Sequence, residues 1–301
     1  MRSKRLHVIL LTAMMVLGLA GCGTTQTVPI TGRQHKIAVS DQALLQESRQ
    51  EYAAFMAKNK KSTDAASTAM VQRVGRRLAN AVETYLKQNG YASEIKNYEW
   101  EFNLVQNKEA NAWCMPGGKI VVYEGLLPIT QNETSLAIVL GHEIAHAVAK
   151  HSAEQMTKAQ NQNIGIQLGG ALLGAVAGSD VANVAANVAS NGFQLLNLKY
   201  SRQDELEADH MGLIFAAMAG YDPQQAIPFW KRMAGNSGNG SSGSYTGAST
   251  SDFLSTHPSD AKRIAALEQE MPEALKYYKQ SSKAVTTKKT TSRKSSSRKR
   301  R

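Results

Sequence analysis

Cysteine is scarce: the 301 residues contain two, Cys22 and Cys114. That is too few for a disulfide-dense scaffold or for a cysteine-only zinc site. Long apolar runs are missing too. Leu6 to Leu19 is broken by His7, Thr12 and Gly18, and Ile164 to Val188 is interrupted at Gly178-Ser179-Asp180. Both uninterrupted stretches fall short of the roughly eighteen residues a spanning helix needs, so buried core helices are the expectation for 164–188. The body of the chain also lacks positive charge, although the whole carries 35 Lys+Arg against 24 Asp+Glu, a net of +11. Ten of those cations and no acid lie in Lys279 to Arg301, and Arg2, Lys4 and Arg5 open the chain; with these ten and three set aside, the net charge is −2. A nucleic-acid surface spread over the fold is thereby excluded, since it would carry its positive charge on the domain itself. With 42% hydrophobic and 20% charged residues the composition is that of an ordinary globular protein, which excludes wholesale disorder.

What is present begins with an address. A basic start, an apolar run and then Leu19-Ala20-Gly21-Cys22 resemble the signal peptide and lipobox of bacterial lipoproteins. The resemblance implies that residues 1–21 are removed and that Cys22 is acylated. Each buried methylene contributes about 0.8 kcal/mol, so a multiply acylated Cys22 holds the chain on a membrane. Gly23, where an aspartate would signal inner-membrane retention, points to a bacterial outer membrane facing the periplasm. Cys114 is read as a buried small apolar residue.

Residues 22–40 read as a polar, lipidated tether and 41–275 as the folded domain. Helical spacing predicts helices over 41–61 and 64–90, with Val71, Val74, Leu78 and Val82 on one face. Trp100, Phe102 and Leu104 alternate with polar residues, Lys119 to Tyr123 is rich in β-branched side chains, and Pro116-Gly117-Gly118 is a turn signal. A small sheet is expected there, with Asn111 to Met115 as an edge strand or its approach. Thr130-Gln131-Asn132-Glu133 fits a capping box before a helix that carries 142–151. Leu195 to Ala219 reads as helix closed by Gly220, Asp222-Pro223 restarts one, 235–250 is a flexible Gly/Ser/Asn loop, and a last helix spans about 259–270. The basic tail, 276–301, cannot build a core and is expected to be disordered. A docking role of that tail on an anionic envelope surface is the other reading.

The chemistry lies in Gly141-His142-Glu143-Ile144-Ala145-His146. Its i, i+4 imidazoles share one helix face and reach a single ion, while Glu143 sits where it can deprotonate water. A catalytic zinc site needs a third protein ligand. The metzincin pattern is ruled out, because Ala149 and Ser152 stand where it requires glycine and histidine, and His151 is one position out of register. Ser201-Arg202-Gln203-Asp204-Glu205-Leu206-Glu207-Ala208-Asp209 offers instead Glu205 as ligand and Asp209, one turn on, as acceptor of an imidazole N–H. Glu207 is the weaker ligand candidate; Asp204 and His210 read as solvated or structural.

These motifs together resemble the gluzincin metallopeptidase family that includes the HtpX proteases and the CAAX prenyl endopeptidases. With the lipobox they are most similar to its periplasmic lipoprotein branch, typified by LoiP, with BepA a related soluble relative. The resemblance, over about 64–270, implies an α+β, mostly helical zincin-type domain whose small sheet has an edge strand bordering the active-site helix. Asn111, Ala112 and Trp113 would pair with extended substrate there, and Tyr123 to Leu127 leads to the zinc helix. His257-Pro258 with Arg263 resembles the family's H-P-x-x-x-x-R motif. It implies one Zn2+ held by His142, His146 and Glu205, with Glu143 as base. His257 is left with two roles, oxyanion donor or latent fourth ligand, beside an ordinary helix-start histidine. The function expected is a zinc-dependent endopeptidase acting on unfolded or misassembled envelope polypeptides. The competing reading is a lipid-anchored chaperone or assembly factor with a structural or latent zinc site.

Overall fold

The structure is a computed structural model, and it describes residues 23–162, 195, 198–235, 253, 257 and 261–298. The expected signal, Cys22, the apolar segment 164–188 and the loop over 236–250 lie outside the described residues. Among those described, no helix is long and apolar enough to cross a membrane.

Residues 23–40 do not form the expected polar tether. β1 (Thr24–Thr27) and β2 (Gln34–Ile37) are an antiparallel hairpin with Thr24 opposite Ile37 and Thr27 opposite Gln34. Its turn is closed by Val28 N donating to Arg33 O at 2.8 Å and Gly32 N to Val28 O at 3.0 Å, with Ile30 and Gly32 in left-handed conformations (φ 71° and 69°). Val28 and Ile37 are buried against the domain. Two buried aliphatics in a Thr/Gln-rich segment give no period to read, which is why the hairpin is not visible in the sequence.

α1 (Asp41–Lys58) and α2 (Ala65–Gln88) follow, capped by Ser40 and Asp64. On α2, Val71, Val74, Leu78 and Val82 are buried on one face as their spacing requires. β3 (Glu101–Val105), β4 (Ala112–Met115) and β5 (Lys119–Tyr123) form one sheet in the order β3-β5-β4. β5 lies in the middle, buried throughout, parallel to β3 and antiparallel to β4. The β4–β5 turn uses Gly117 and Gly118 at φ 87° and 82°, and a Cβ on Gly118 would meet the Trp100 ring at 2.6 Å. β4 is thereby left on the outside of the sheet, packed against the next helix.

That helix is α3 (Glu133–Val148), whose residues from Ser135 onward are all buried. Asn132, not Thr130, is its N-cap, accepting from Ser135 N at 2.9 Å; Thr130 turns back to Leu127 O, and Gln131 is left-handed at φ 64°. A short helix over Leu127–Thr130 ends there, so Thr130 is unavailable to cap the next one. After Val148 the helix is broken at Ala149 and Lys150, the latter left-handed at φ 54°, and α4 (151–162) follows.

α5 (Arg202–Met218) starts later than the expected 195 because Ser201 caps it. Asp204 is the reciprocal partner in that capping box and is buried, the structural of its two expected roles. α6 (Ala226–Gly235) follows the Asp222-Pro223 restart. α7 (Ala261–Arg298) passes well beyond the expected end and carries the backbone of the basic tail as helix, where disorder was expected. The packed first part, with Leu267 and Ala274 buried, supplies the nucleus, and propagation from a nucleus is inexpensive.

α3 and α5 are in intimate contact. A Cβ on Gly141 would lie 2.7 Å from Gly212 O, and one on Gly212 would lie 2.6 Å from His142 N. Two glycines facing each other let the helix backbones touch, and this sets the distance between the histidines on one and the carboxylates on the other.

Candidate metal centre

α3 presents His142 and His146 one turn apart, and α5 presents Glu205 and Asp209 one turn apart. His257, just ahead of α7, joins them. All five side chains are buried. His142 Nε2 lies 3.1 Å from His146 Nε2 and 3.2 Å from His257 Nδ1. Glu205 oxygens lie 3.5 Å from each of the α3 imidazole nitrogens and 3.0 Å from His257 Nδ1. Four ligand atoms, one each from His142, His146, Glu205 and His257, fall within 4.8 Å of one another.

These separations fit a cation. Four donors at about 2.0–2.1 Å from a tetrahedral zinc are about 3.4 Å apart, close to the distances found. Nitrogen lone pairs converging at that range repel unless a cation or a proton stands between them. The surrounding charge agrees: burial opposes protonation of His142, but Asp209 and Glu205 overcome it and pull the imidazole up to about 9. Burial holds His146 well below its ordinary value, as a neutral ligand. For Glu205, burial works to raise the carboxyl, yet His257 and His142 keep it far below the usual carboxylate range.

A second layer orients the first. His142 Nδ1 meets Asp209 Oδ1 at 3.0 Å. Arg263 grips Asp209 through Nε and Nη2, both at 2.7 Å, and places Nη1 2.9 Å from Glu205 Oε2. Its guanidinium lies over the Trp230 ring, 4.2 Å from the centroid. His146 Nδ1 meets His151 Nδ1 at 2.8 Å, and Tyr200 stacks on the His146 ring with centroids 4.0 Å apart.

Glu143 faces the same cleft. Burial pushes its carboxyl up, and Oε1 is shielded from solvent with no hydrogen-bond partner among the described residues. His257 Nε2 lies 3.7 Å from it. A cleft is lined by Asn111, by Ala112 and Trp113 of β4, and by Glu143, Tyr200 and His257.

The structure thus brings together His142, His146, Glu205, Asp209, Glu143 and His257, and sets Asn111 to Trp113 along the same opening. Glu207 stays outside the cluster, 2.9 Å from His151 Nε2. Cys114 is buried and unpaired with any cysteine among the described residues, and burial raises its thiol. Sequence reasoning did not single out Tyr200, His151 or the grip of Arg263. Only Arg263 carried a signal, through its spacing from His257.

A fold and a donor set of this kind define a zincin-type metallopeptidase. The chain belongs to Peptidase family M48, whose family model matches residues 65–271. The chain is 37% identical over 192 residues to the mitochondrial metalloendopeptidase OMA1 of Saccharomyces cerevisiae, covering 63% of this chain and 52% of that protein. Against human metalloendopeptidase OMA1, mitochondrial, it is 29% identical over 251 residues, 82% of this chain and 46% of the other. Against the beta-barrel assembly-enhancing protease of Escherichia coli it is 25% identical over 177 residues, 58% and 35% of the two chains. The chain spans about half the length of the first of these relatives, and less of the others. These relatives overturn the expected location in a bacterial outer membrane facing the periplasm: the matches of 35–38% identity are to mitochondrial proteins, and the bacterial protease matches less well.

Proposed function

We propose that the chain is a zinc-dependent endopeptidase with His142, His146 and Glu205 as ligands and Glu143 as general base. The observation that carries this reading is the convergence of those three donors beside a buried Glu143 whose Oε1 has no hydrogen-bond partner among the described residues. Bound there, a zinc ion supplies Lewis acidity, making water a competent nucleophile near neutral pH and polarising the scissile carbonyl. Glu143 takes the water proton and returns it to the leaving amine; burial has moved its carboxyl in the direction a base working near neutrality requires. Asp209 holds the His142 ring by its Nδ1–H. The outer edge of β4 binds the substrate backbone as an added strand, which favours extended, unfolded or misassembled polypeptides over any one sequence.

His257 is the exception to an open site. Its Nδ1 stands where the fourth ligand of a closed tetrahedron would stand, and four protein ligands are the mark of a structural or latent centre. This favours, as a second reading, a centre silenced until His257 withdraws, whether to free the enzyme or because the protein works as a chaperone or assembly factor. Acylation of Cys22 is part of the proposal as a means of membrane attachment, with no compartment specified.

Casein cleavage by the zinc-loaded full chain and by Glu143→Gln separates the readings. Glu143→Gln should retain zinc and lose activity by about 100-fold to 10,000-fold. Equal activity in both proteins removes Glu143 from the chemistry, and zinc binding with cleavage by neither favours the chaperone reading.

A further inference from the structure

The N-terminal hairpin and the metal centre are connected by an unbroken line of hydrogen bonds. His146 Nδ1 and His151 Nδ1 are 2.8 Å apart, and His151 Nε2 lies 2.9 Å from Glu207 Oε2. Glu207 is in turn held from the hairpin turn, by Arg33 Nε at 2.7 Å and by the Thr31 hydroxyl on Oε1. The same guanidinium spans to Glu154 at 3.2 and 2.8 Å. His35 Nδ1, from β2, lies 2.9 Å from Glu154 as well, and Lys158 Nζ lies 2.8 Å from it. His151 is wholly buried, and Glu207 and Glu154 nearly so.

Proton positions along this line follow from the acceptors. Glu207 already takes donors on both oxygens, the Thr31 hydroxyl on Oε1 and Arg33 Nε on Oε2, so it is an acceptor toward His151 as well, which carries its proton on Nε2 and presents a bare Nδ1. His146 must then carry its own proton on Nδ1, which leaves Nε2 bare toward His142, Glu205 and His257. A neutral His151 of the other tautomer would donate from Nδ1 and force the His146 proton onto Nε2, where it blocks ligation.

We propose that Arg33, Glu207 and His151 are positioning residues that fix the tautomer of His146 for metal binding, so that the N-terminal hairpin is a working part of the metal centre. This rests on the metal reading of the cluster given above. It differs from a simple docking of the hairpin, because the carboxylate reaches the metal-facing nitrogen only through two imidazoles in series. It also assigns a use to three residues outside the ligand set, of which Arg33 is 174 positions away from Glu207 in sequence.

The test uses the full chain with ¹⁵N-labelled histidine. Long-range proton–nitrogen spectra of the metal-free protein report ring tautomers, and chelator competition reports Zn2+ affinity. In wild type His146 should appear as the Nδ1–H form and His151 as Nε2–H. Glu207→Met should shift His146 toward Nε2–H and weaken Zn2+ binding at least about tenfold, the scale seen when partners behind metal ligands are lost. Glu207→Gln, which keeps an acceptor, should recover most of that loss. Arg33→Met should give a smaller shift of the same sign, and it stands in if Glu207→Met fails to fold. An unchanged His146 tautomer, or affinity within twofold of wild type in the acceptor-free variant, overturns the proposal whatever happens to stability. A wild type that binds no Zn2+ defeats the metal reading itself, and the tautomers then decide the relay alone.

Discussion

Glu270 lies on α7 with Oε2 shielded from solvent and no hydrogen-bond partner for it among the described residues. His210 Nδ1 is 4.0 Å from its other oxygen, and the Nε2 of that imidazole is 3.1 Å from Glu273. Burial therefore dominates and pushes the Glu270 carboxyl up to about 7, with Asp209 and Glu273 adding to the rise and His210 opposing it. The folded value exceeds the unfolded one of about 4.3, so the fold prefers the protonated acid. Stability from this group is full below the unfolded value and is lost as pH rises through about 7. Glu270→Gln should stabilise the protein by about 1 kcal/mol at about pH 8, a figure reduced because a quarter of the side chain still meets solvent. The gain should vanish near pH 4. Urea unfolding of both proteins at the two pH values checks this, and a gain independent of pH would show that ionisation is not its source.

At the scale of elements, the crossing of α3 and α5 decides whether there is a site. Gly212 faces the backbone of His142, and backbone cannot rotate away as a long side chain can. Gly212→Ala should force the helices apart, cost about 1–3 kcal/mol as overpacking does, and carry Glu205 and Asp209 away from His142 and His146. Thermal unfolding together with Zn2+ titration reads both effects; a variant with wild-type stability and affinity would mean the crossing is slack. The same elements explain what was legible beforehand. His142 and His146 share a face by spacing alone, and the α2 stripe of Val71, Val74, Leu78 and Val82 is a local period, so both could be read from sequence. For Asp204 the sequence leaves solvated and structural roles open, because it records polarity and not burial; the structure has the structural one, a side chain buried while capping its own helix. His151 was set aside by counting along a continuous helix. The helix is in fact broken at Lys150, so the register that excludes His151 as a ligand does not keep it from packing behind one. Arg33 was unreadable for a different reason: its partners lie 121 and 174 residues away, and no local pattern encodes such a meeting.

Across the whole molecule, the candidate ligands come from three separated stretches, α3, α5 and the residue ahead of α7, and each is tied to further parts. Arg263 joins α7 to Asp209, and Arg33 joins the hairpin to Glu207 and Glu154. A cation at their meeting point binds the folded chain and not the unfolded one, so it should stabilise everything joined there by mass action. At free Zn2+ about a thousand times the dissociation constant the gain is about 4 kcal/mol. Stripping the metal with a chelator should lower the thermal midpoint, and returning Zn2+ should restore it in a concentration-dependent way. Mg2+ should not substitute, because three of the four donors are imidazoles and it prefers oxygen. Glu143→Gln should keep the full Zn2+-dependent increment, since Glu143 is not in the donor set, whereas Glu205→Gln should lose most of it. Differential scanning calorimetry with metal analysis on the same samples distinguishes the cases. If the midpoint stays fixed while the metal is verifiably gone, the three stretches are held by protein contacts alone. The donors would then be a preformed site that a cation enters without tightening the fold.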